Sequence, residues 1–576
     1  MISKPTNALR RLLTPRFSRA AKASKPNFRA RLQVTSLEDR VTPASYIVTN
    51  VSGDIATPGS LPFFINAANL DNDDSIITFD SVVFGTAKTI SLTTAMPQIS
   101  DNQSMTIVGP GTGLLTVQRD SGAVGAFRVL DSDNRDLNLS GFTVSAGTAA
   151  AGGLGAFAGG NLTNMVFSGN NASDFGTIYV QSASTLNLVD SIVSGNNSAR
   201  GAGIFVATTG TLNVIKSTIS GNASSGNGGG IWVGNFATAN VTDSTISGNT
   251  AGAAGGGIYM GAYSSLAVKN STISGNTAAT SGGGIYFVYA GNLLVENSTI
   301  SGNITTGTAN NAGGAGIYFY YAAGSVEVRN STIANNTSAS SGGGILLRYF
   351  YGDFQLKNVT VSGNSAANTN SGQGGGGIAV LGGPGRALIA NSVIAMNSSL
   401  NGPEILGPVG AVSSSSSLIF NNSGYSESDG TGNVGLGINP QLGALTNNGG
   451  PTLTMLPAAG SPLVNNGNDN STPIQAFTDQ RGFGYARTFG QVDIGAVERQ
   501  PDLPVALASV TRVDSSNIGE SEYFFDVTFA QPNGANNEID VSTIIGMNDV
   551  ILVTFPGGAT QLATYVNIDN GTDGSP

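Results

Sequence analysis

The chain has 576 residues, of which 81 are Gly and only 10% are charged; its formal net charge is −10, and it contains neither Cys nor His. These counts exclude disulfides, thiolate metal sites, His general bases and any Ser-His-Asp or Cys-His nucleophile. Residues 1–36 hold nine Lys/Arg and no acid, which leaves 37–576 at −19 (−10 − 9), and so acidic a body argues against nucleic acid as a partner.

The basic leader, residues 1–36, has no purely apolar run longer than a pair such as Leu12-Leu13. Composition alone leaves it open between a basic arm and an atypical export signal. No later run of ~18 apolar residues predicts a membrane-spanning helix. The stretch Leu37-Glu38-Asp39-Arg40-Val41-Thr42-Pro43-Ala44 resembles the Leu-Glu-Asp-Arg element at the N-terminus of large planctomycete surface proteins. That resemblance implies export, to a secreted or surface-displayed, outer-membrane-associated location.

Residues 37–163 are strand-rich but irregular. Tyr46–Asn50 reads as a strand and Gly59–Asn69 as a short amphipathic helix, placed to close the open end of whatever stack follows. Runs at 75–80, 89–92, 105–109 and 137–144 read as the first, less regular coils. This arrangement is similar to the start of planctomycete and related bacterial β-helix proteins.

From 164 to 436 the chain repeats. Ser-Thr-Ile-Ser-Gly-Asn occurs at 217–222, 244–249, 271–276 and 298–303, and looser copies extend the series of marker residues to Asn170, Asn196, Asn222, Asn249, Asn276, Asn303, Asn336, Asn364 and Asn397. A Gly-rich turn followed by Ile178, Ile204, Ile231, Ile258, Ile285, Ile317, Ile345 or Ile378 keeps step with the markers. A ~27-residue repeat of short β-prone runs and Gly/Asn/Ser turns predicts an all-β, right-handed parallel β-helix with coils stacked ~4.8 Å apart. Length varies only between marker and Ile, which predicts two enlarged loops at 304–316 and 365–377.

Alternation assigns the faces. The column Phe167, Val193, Ile219, Ile246, Ile273, Ile300, Ile333, Val361, Ile394 points inward, and Thr218, Thr245, Thr272, Thr299, Thr332 and Thr360 form an outward stripe. The marker Asn and a second polar column six residues earlier are expected to run as amide ladders that fix register.

Two candidate sites lie on the coils. The residue after each leading Ile is Tyr179, Phe205, Trp232, Tyr259, Tyr286, Tyr318, Leu346 or Ala379, expected to point outward. For 179–259 ring stacking along the sheet is explanation enough. Around the enlarged loops the aromatics broaden to Tyr286, Tyr289, Tyr318, Tyr320, Tyr321, Tyr349, Phe350 and Tyr351, and the tyrosines are the candidate ligand-binding residues, with the loops as walls of a groove for sugar rings. The rival is catalysis. Many β-helices that this chain resembles in coil geometry cleave polysaccharides, and Glu296 and Glu327 are the one carboxylate pair at the spacing a glycosidase needs, roughly 5–9 Å. Lys269, Glu296, Arg329 and Lys357 share one coil position, however, so an ion-pair column is the plainer reading. No cofactor or metal is expected.

More distantly, Gly-Gly-Gly-Ile-Tyr and Ser-Thr-Ile-Ser-Gly-Asn resemble the repeats of chlamydial polymorphic outer-membrane proteins, which are autotransporters and adhesins; no run of alternating ten-residue strands predicts their barrel here. Residues 437–500 change character. Asn439-Pro440-Gln441-Leu442-Gly443, Asn448-Gly449-Gly450-Pro451, Gly460-Ser461-Pro462, Asp479-Gln480-Arg481-Gly482 and Asp493-Ile494-Gly495-Ala496 resemble the choice-of-anchor Q segment of bacterial surface proteins. The segment is expected to cap the C-terminal end, with Arg481 pairing with Asp479 or Asp493. Residues 501–576 alternate like the first half of a β-sandwich, as expected of a piece of a longer surface protein. The sequence thus points to a monomeric or modular surface scaffold or adhesin whose partners are extracellular polysaccharide or envelope components, with a polysaccharide-active enzyme and a purely structural envelope protein as alternatives.

Overall fold

The computed structural model describes residues 43–500, apart from 72, 101–103, 133–135, 322–323, 369, 371, 428–429 and 473–476, together with four strands between 505 and 562. The basic leader and most of the last segment lie outside the described residues. Among those described, no helix is long and apolar enough to cross a membrane.

The repeat folds as a parallel β-solenoid of about 13 right-handed coils. In one coil the strands are Ile258–Met260, Ser265–Lys269, Thr272–Ser274 and a short Thr277–Ala278. Each pairs in parallel with the same strand of the next coil, Ile258 opposite Ile285, Leu266 opposite Leu293, Ile273 opposite Ile300 and Ala278 opposite Thr305. Every column therefore meets its own copies, and the inward column read from the sequence is fully buried, as are the leading Ile residues. The Gly turn before each leading Ile has a steric cause. A Cβ on Gly229 would sit 2.4 Å from the carbonyl oxygen of Gly256 in the next coil, where only Gly fits.

The marker asparagines form the expected ladder. Asn276 is fully buried; its Nδ2 donates to Asn303 Oδ1 in the next coil at 2.9 Å and to the Ile246 carbonyl of the preceding coil at 3.0 Å. Its backbone N–H also donates to Asn303 Oδ1, at 3.0 Å, while its own Oδ1 accepts from the backbone N and Nδ2 of Asn249. The same pattern runs through Asn222, Asn249, Asn303, Asn336 and Asn364. Asn is suited to this place because one amide carries donor and acceptor together, so a stack of identical residues satisfies itself.

The second column plays a different part. Asn164, Asp190, Lys216, Asp243, Asn270, Asn297, Asn330, Asn358 and Asn391 all have φ between 45° and 54°, so they occupy the left-handed turn that joins the second strand to the third. Asn and Asp adopt that conformation at least cost among residues with a side chain, which is why they recur. Side-chain bonds along the column are weaker company, Asn270 donating to Asp243 at 3.1 Å and Asn297 to Asn270 at 3.2 Å. Two further ladders emerge only in three dimensions. Ser217 N donates to Ser244 Oγ and Ser244 N to Ser271 Oγ, each at 3.0 Å, and Asn187, Asn213 and Asn240 chain along the second strand.

The N-terminal helix forms as expected, at Leu61–Ala68. Ser60 caps it by accepting from Phe63 N, Pro62 sits in its first turn where no donor is missed, and Leu61, Ile65 and Ala68 join the solenoid core. Residues 437–499 lie along the flank of the solenoid, on the third-strand face, and reach its last coil at Leu418 and Val434. Thr299 Oγ1 donates to the Leu453 carbonyl at 2.6 Å, Thr332 Oγ1 to Gln480 Oε1 at 2.6 Å, and Ala496 N to Thr360 Oγ1 at 3.1 Å. Leu463 and Ile494 pack with Val393, Ala395 and Leu418. The outward Thr stripe is the docking strip: Thr299, Thr332 and Thr360 are buried beneath the segment, while Thr218, Thr245 and Thr272 stay half-buried. Arg481 pairs with Asp479 at 2.7 Å, and Asp493 instead accepts from the backbone N of Asn465. The four strands beyond 500 form two antiparallel pairs, Val505–Ser509 with Asp526–Ala530 and Leu552–Thr554 with Thr560–Leu562.

Replacing Asn276 by Ala leaves the backbone N–H and one amide N–H of buried Asn249 without an acceptor and removes the side-chain donor from the Ile246 carbonyl. The expected cost is about 3–5 kcal/mol, against under about 1 for Thr272→Ala on the half-buried stripe. Urea unfolding of the two variants measures the difference, and equal midpoints would mean that the ladder contributes nothing to stability.

Candidate functional site

Each coil turns from its first strand to its second through a residue in the left-handed region, as it does from its second strand to its third. The occupants are of a different kind. The first-to-second turn holds Thr209, Phe236, Tyr263, Tyr289, Tyr321 and Tyr349 at φ between 51° and 62°, followed by Gly382 at 78°. Five successive coils thus place a bulky aromatic where Asn, Asp or Gly is favoured, at a cost of ~1–2 kcal/mol each.

The rings stack along the axis in two runs. Phe236 and Tyr263 lie 5.1 Å apart at 8°; Tyr289, Tyr321 and Tyr349 follow at 5.8 Å and 4.8 Å, with Tyr351 roughly parallel to Tyr321 at 6.4 Å. The break between the runs has a backbone cause. The first strand grows from three residues, Ile258–Met260, to four, Ile285–Val288, which moves the turn residue by one position. Rings inside a run cover each other's faces, so Tyr321 and Tyr349 are half-buried and present edges and hydroxyls. Rings at run ends are about half exposed: Phe236 59%, Tyr263 57%, Tyr289 49% and Tyr351 55%. Stacking returns ~0.5–1.5 kcal/mol per pair, and three pairs among the five rings recover only part of the backbone strain. Stability alone therefore gives no reason to prefer Tyr to Asn at these turns.

Phe236 and Tyr263 extend the surface two coils beyond the expected patch. They escape the sequence pattern because their offset from the leading Ile is five, whereas that of Tyr289, Tyr321 and Tyr349 is four.

The strand-face column behaves differently. Tyr179, Phe205, Trp232, Tyr259, Tyr286 and Tyr318 form one continuous stack at 4.3–5.9 Å. The structure places Tyr318 inside the protein, 1% exposed, which removes it from the expected binding residues. The cause is the enlarged loop 304–316, which folds across the strand face: Tyr318 Oη donates to the Asn311 carbonyl at 3.0 Å, and Arg348 Nη1 to the Asn310 carbonyl at 2.7 Å. Asn370 Nδ2 donates to Asn310 Oδ1 at 3.1 Å and ties the second loop, 365–377, to the first. Burial pushes the phenols of Tyr286 and Tyr318 well above their ordinary value, so both stay neutral. Tyr286 is half-buried, with Tyr318 on one side and Tyr259 on the other. Tyr320 is half-buried, packed against Tyr318 and its neighbours, with its ring 4.7 Å from that of Tyr321, edge to face.

The carboxylate pair is neutralised where it stands. Glu296 bonds Arg329 at 2.7 Å and Lys269 at 3.6 Å, and Glu327 faces Lys357 at 3.4 Å and Arg329 at 3.9 Å. These groups sit on the second strand with a cation between or beside every pair, the arrangement of an alternating charge column.

A buried carboxylate appears elsewhere. Glu404, 1% exposed, takes the place of the next amide after Asn397, and its Oε2 accepts from Asn397 Nδ2 at 2.6 Å and from the Asn397 backbone N at 3.3 Å. Burial pushes its carboxyl up to about 7, against the lowering effect of the hydrogen bonds from Asn397. In the flank segment burial likewise pushes Glu498 up to about 7, where it accepts from the backbone N of Asp493 and Phe489 and faces Arg487.

Residues 202–394 match the family model described as right handed beta helix region. The matched stretch covers most of the regular coils, the ion-pair column, the aromatic row on the first-to-second turn and the strand-face column from Phe205 onward. No curated protein matches the chain.

Glu404 makes stability depend on pH with a definite sign. Its folded value lies above its ordinary one, so the folded state holds the proton more tightly; stability is greatest below pH ~4.5 and falls as pH rises toward ~7. Glu404→Gln keeps the acceptor oxygen and removes the charge. Its melting temperature is expected to exceed the parent's by a few degrees at pH 8 and to match it near pH 4.5, as read by thermal unfolding at both values. A variant that melts lower than the parent at pH 8 would mean the ionised carboxylate is stabilising.

Proposed function

We propose that this protein is a surface-displayed or secreted scaffold that binds polysaccharide, using the row of aromatics on the first-to-second turn. The observation that carries the reading is the choice of residue there. In five coils a strained, solvent-facing position holds Phe or Tyr, while the equivalent position on the next turn holds Asn, Asp or, once, Lys. Exposed aromatics at strained positions are what a recognition surface requires, because a ring with one free face or edge packs against the C–H faces of sugars and its hydroxyl pairs with theirs. The right-handed β-helix accommodates binding proteins and polysaccharide-cleaving enzymes alike. Glu296 and Glu327 favour the binding reading, since each is held by cations and neither is free to act as acid or base in a glycosidase mechanism. Export and surface location rest on the resemblance of Leu37-Glu38-Asp39-Arg40 and of residues 437–500 to elements of bacterial surface proteins.

The test is retention. The parent and the triple variant Tyr289→Asn/Tyr321→Asn/Tyr349→Asn are run on affinity gels containing neutral and acidic polysaccharides, with released oligosaccharide assayed in parallel. Asn suits the left-handed turn, so the variant is expected to fold at least as stably as the parent and to lose retention tenfold or more on whichever gel retards the parent. Retention unchanged in a folded variant would place binding elsewhere, and release of product by the parent that Glu296→Gln abolishes would make the protein an enzyme.

A further inference from the structure

Granting that reading, the row has a geometry that selects among polysaccharides. Its rings recur once per coil, 4.8–5.8 Å apart within each of two runs that follow the solenoid axis, with a step of one residue position between Tyr263 and Tyr289. Inside the second run Tyr321 and Tyr349 are half-buried, and at the run ends Phe236, Tyr263, Tyr289 and Tyr351 are each about half exposed. A ligand that used the whole row would have to present an apolar face and a polar group at nearly the same interval, in a straight line, over five coils. Pyranose rings joined through equatorial bonds at opposite corners, as in β-1,4-linked chains, advance by close to one coil rise per sugar in their extended form. Glycans that coil, such as α-1,4-linked glucans, leave that line within two or three sugars.

We propose that Phe236, Tyr263, Tyr289, Tyr321 and Tyr349 form one track that holds a single extended β-1,4-linked polysaccharide parallel to the solenoid axis, about one sugar per coil. Arg348, which lies 5.1 Å from the centre of the Tyr349 ring and is tied to loop 304–316, fixes the C-terminal end of the track. Beyond it the turn residue is Gly382, over which the Tyr349 ring already lies, so the row ends there. At the other end the turn residue of the preceding coil is Thr209, which has no ring to cover Phe236. The track is therefore five coils long, and the strand-face column beside it, fully stacked and closed at Tyr318 by the loop, takes no part.

The proposal rests on the binding reading but fails separately from it. Calorimetric titration of the full chain with β-1,4-linked glucose and N-acetylglucosamine oligomers of two to six sugars is expected to show affinity rising with each added sugar up to five, and at least tenfold weaker binding of α-1,4-linked glucose oligomers of equal length. Phe236→Asn, in which Asn suits the left-handed turn, is expected to weaken the six-sugar ligand fivefold or more and leave the three-sugar ligand unchanged. Affinity that levels off at two or three sugars, equal binding of the α-linked series, or a six-sugar affinity untouched by Phe236→Asn would overturn the extended track while leaving polysaccharide binding intact. A parent retained by none of the gels described above would overturn both.

Discussion

In-register stacking is the constraint from which the rest of this molecule follows. Each coil repeats the backbone path of the one before, so a side chain is surrounded along the axis by residues from its own column, ~4.8 Å away on either side. A buried polar residue is best accommodated where it can bond to a copy of itself, and a charge where the next coil supplies its opposite. Asn meets the first condition through an amide that donates on one side and accepts on the other, as Asn249, Asn276 and Asn303 do. Ser meets it by accepting from the backbone N–H of the preceding coil, as Ser244 and Ser271 do. The sequence Lys269, Glu296, Arg329 meets the second. Aromatic rings meet the same demand by lying flat on one another, so a row of Tyr is a structural solution before it is anything else.

That constraint decides what can be read from a sequence alone. Column identity is a one-dimensional property, and the inward columns, the marker Asn ladder and the neighbours of Glu296 all follow from counting. Features that depend on a second segment crossing the columns do not. Tyr318 is buried because loop 304–316 reaches back across the strand face to place the Asn311 carbonyl over its hydroxyl, and nothing in the loop's composition announces that path. The docking of residues 437–499 on the Thr stripe is hidden for the same reason: Thr218 and Thr332 look alike in the repeat, and only the second meets Gln480. Backbone handedness is the third blind spot. Alternation distinguishes in from out but carries no sign for φ, so Asn270 reads as a ladder residue and Tyr263 as nothing in particular, although both are left-handed turn residues.

The flank segment shows the cost of leaving the repeat. Once the chain departs from the coils, no copy stands above or below to complete a polar group, and the segment supplies its own partners instead. Asp479 accepts from the backbone N of Arg481 and of Glu498 as well as from the Arg481 guanidinium, and Arg487, wholly buried, donates to the carbonyls of Asp493 and Gly495. Burial lowers the affinity of Arg487 for its proton, and Glu498, Asp479 and Asp493 facing it act in the opposite sense. Such a network specifies one arrangement closely because breaking any member leaves a buried charge without an opposite.

The two left-handed turns of each coil form an internal comparison that isolates function from folding. Both demand the same backbone conformation and both are repeated through the same coils; the second-to-third turn reaches solvent at Asp243, Asn270 and Asn297 but is buried at Asn330, Asn358 and Asn391, of which Asn330 and Asn391 bond the flank segment. One is filled with Asn, Asp and a single Lys; the other, over five of the same coils, with Phe and Tyr. In the coils of Asp243, Asn270 and Asn297, where both turns reach solvent, the backbone requirement is the same at the two places and cannot account for the difference in side chain. Ring stacking recovers only part of the strain the aromatics bring. What separates the turns is their surroundings, since the aromatic one borders the strand face on which the enlarged loops rise. A row of rings that costs more in backbone strain than its stacking returns in the free protein persists for what it does in company, and a ligand lying along the row would shift that balance toward stability in proportion to the number of coils it touches.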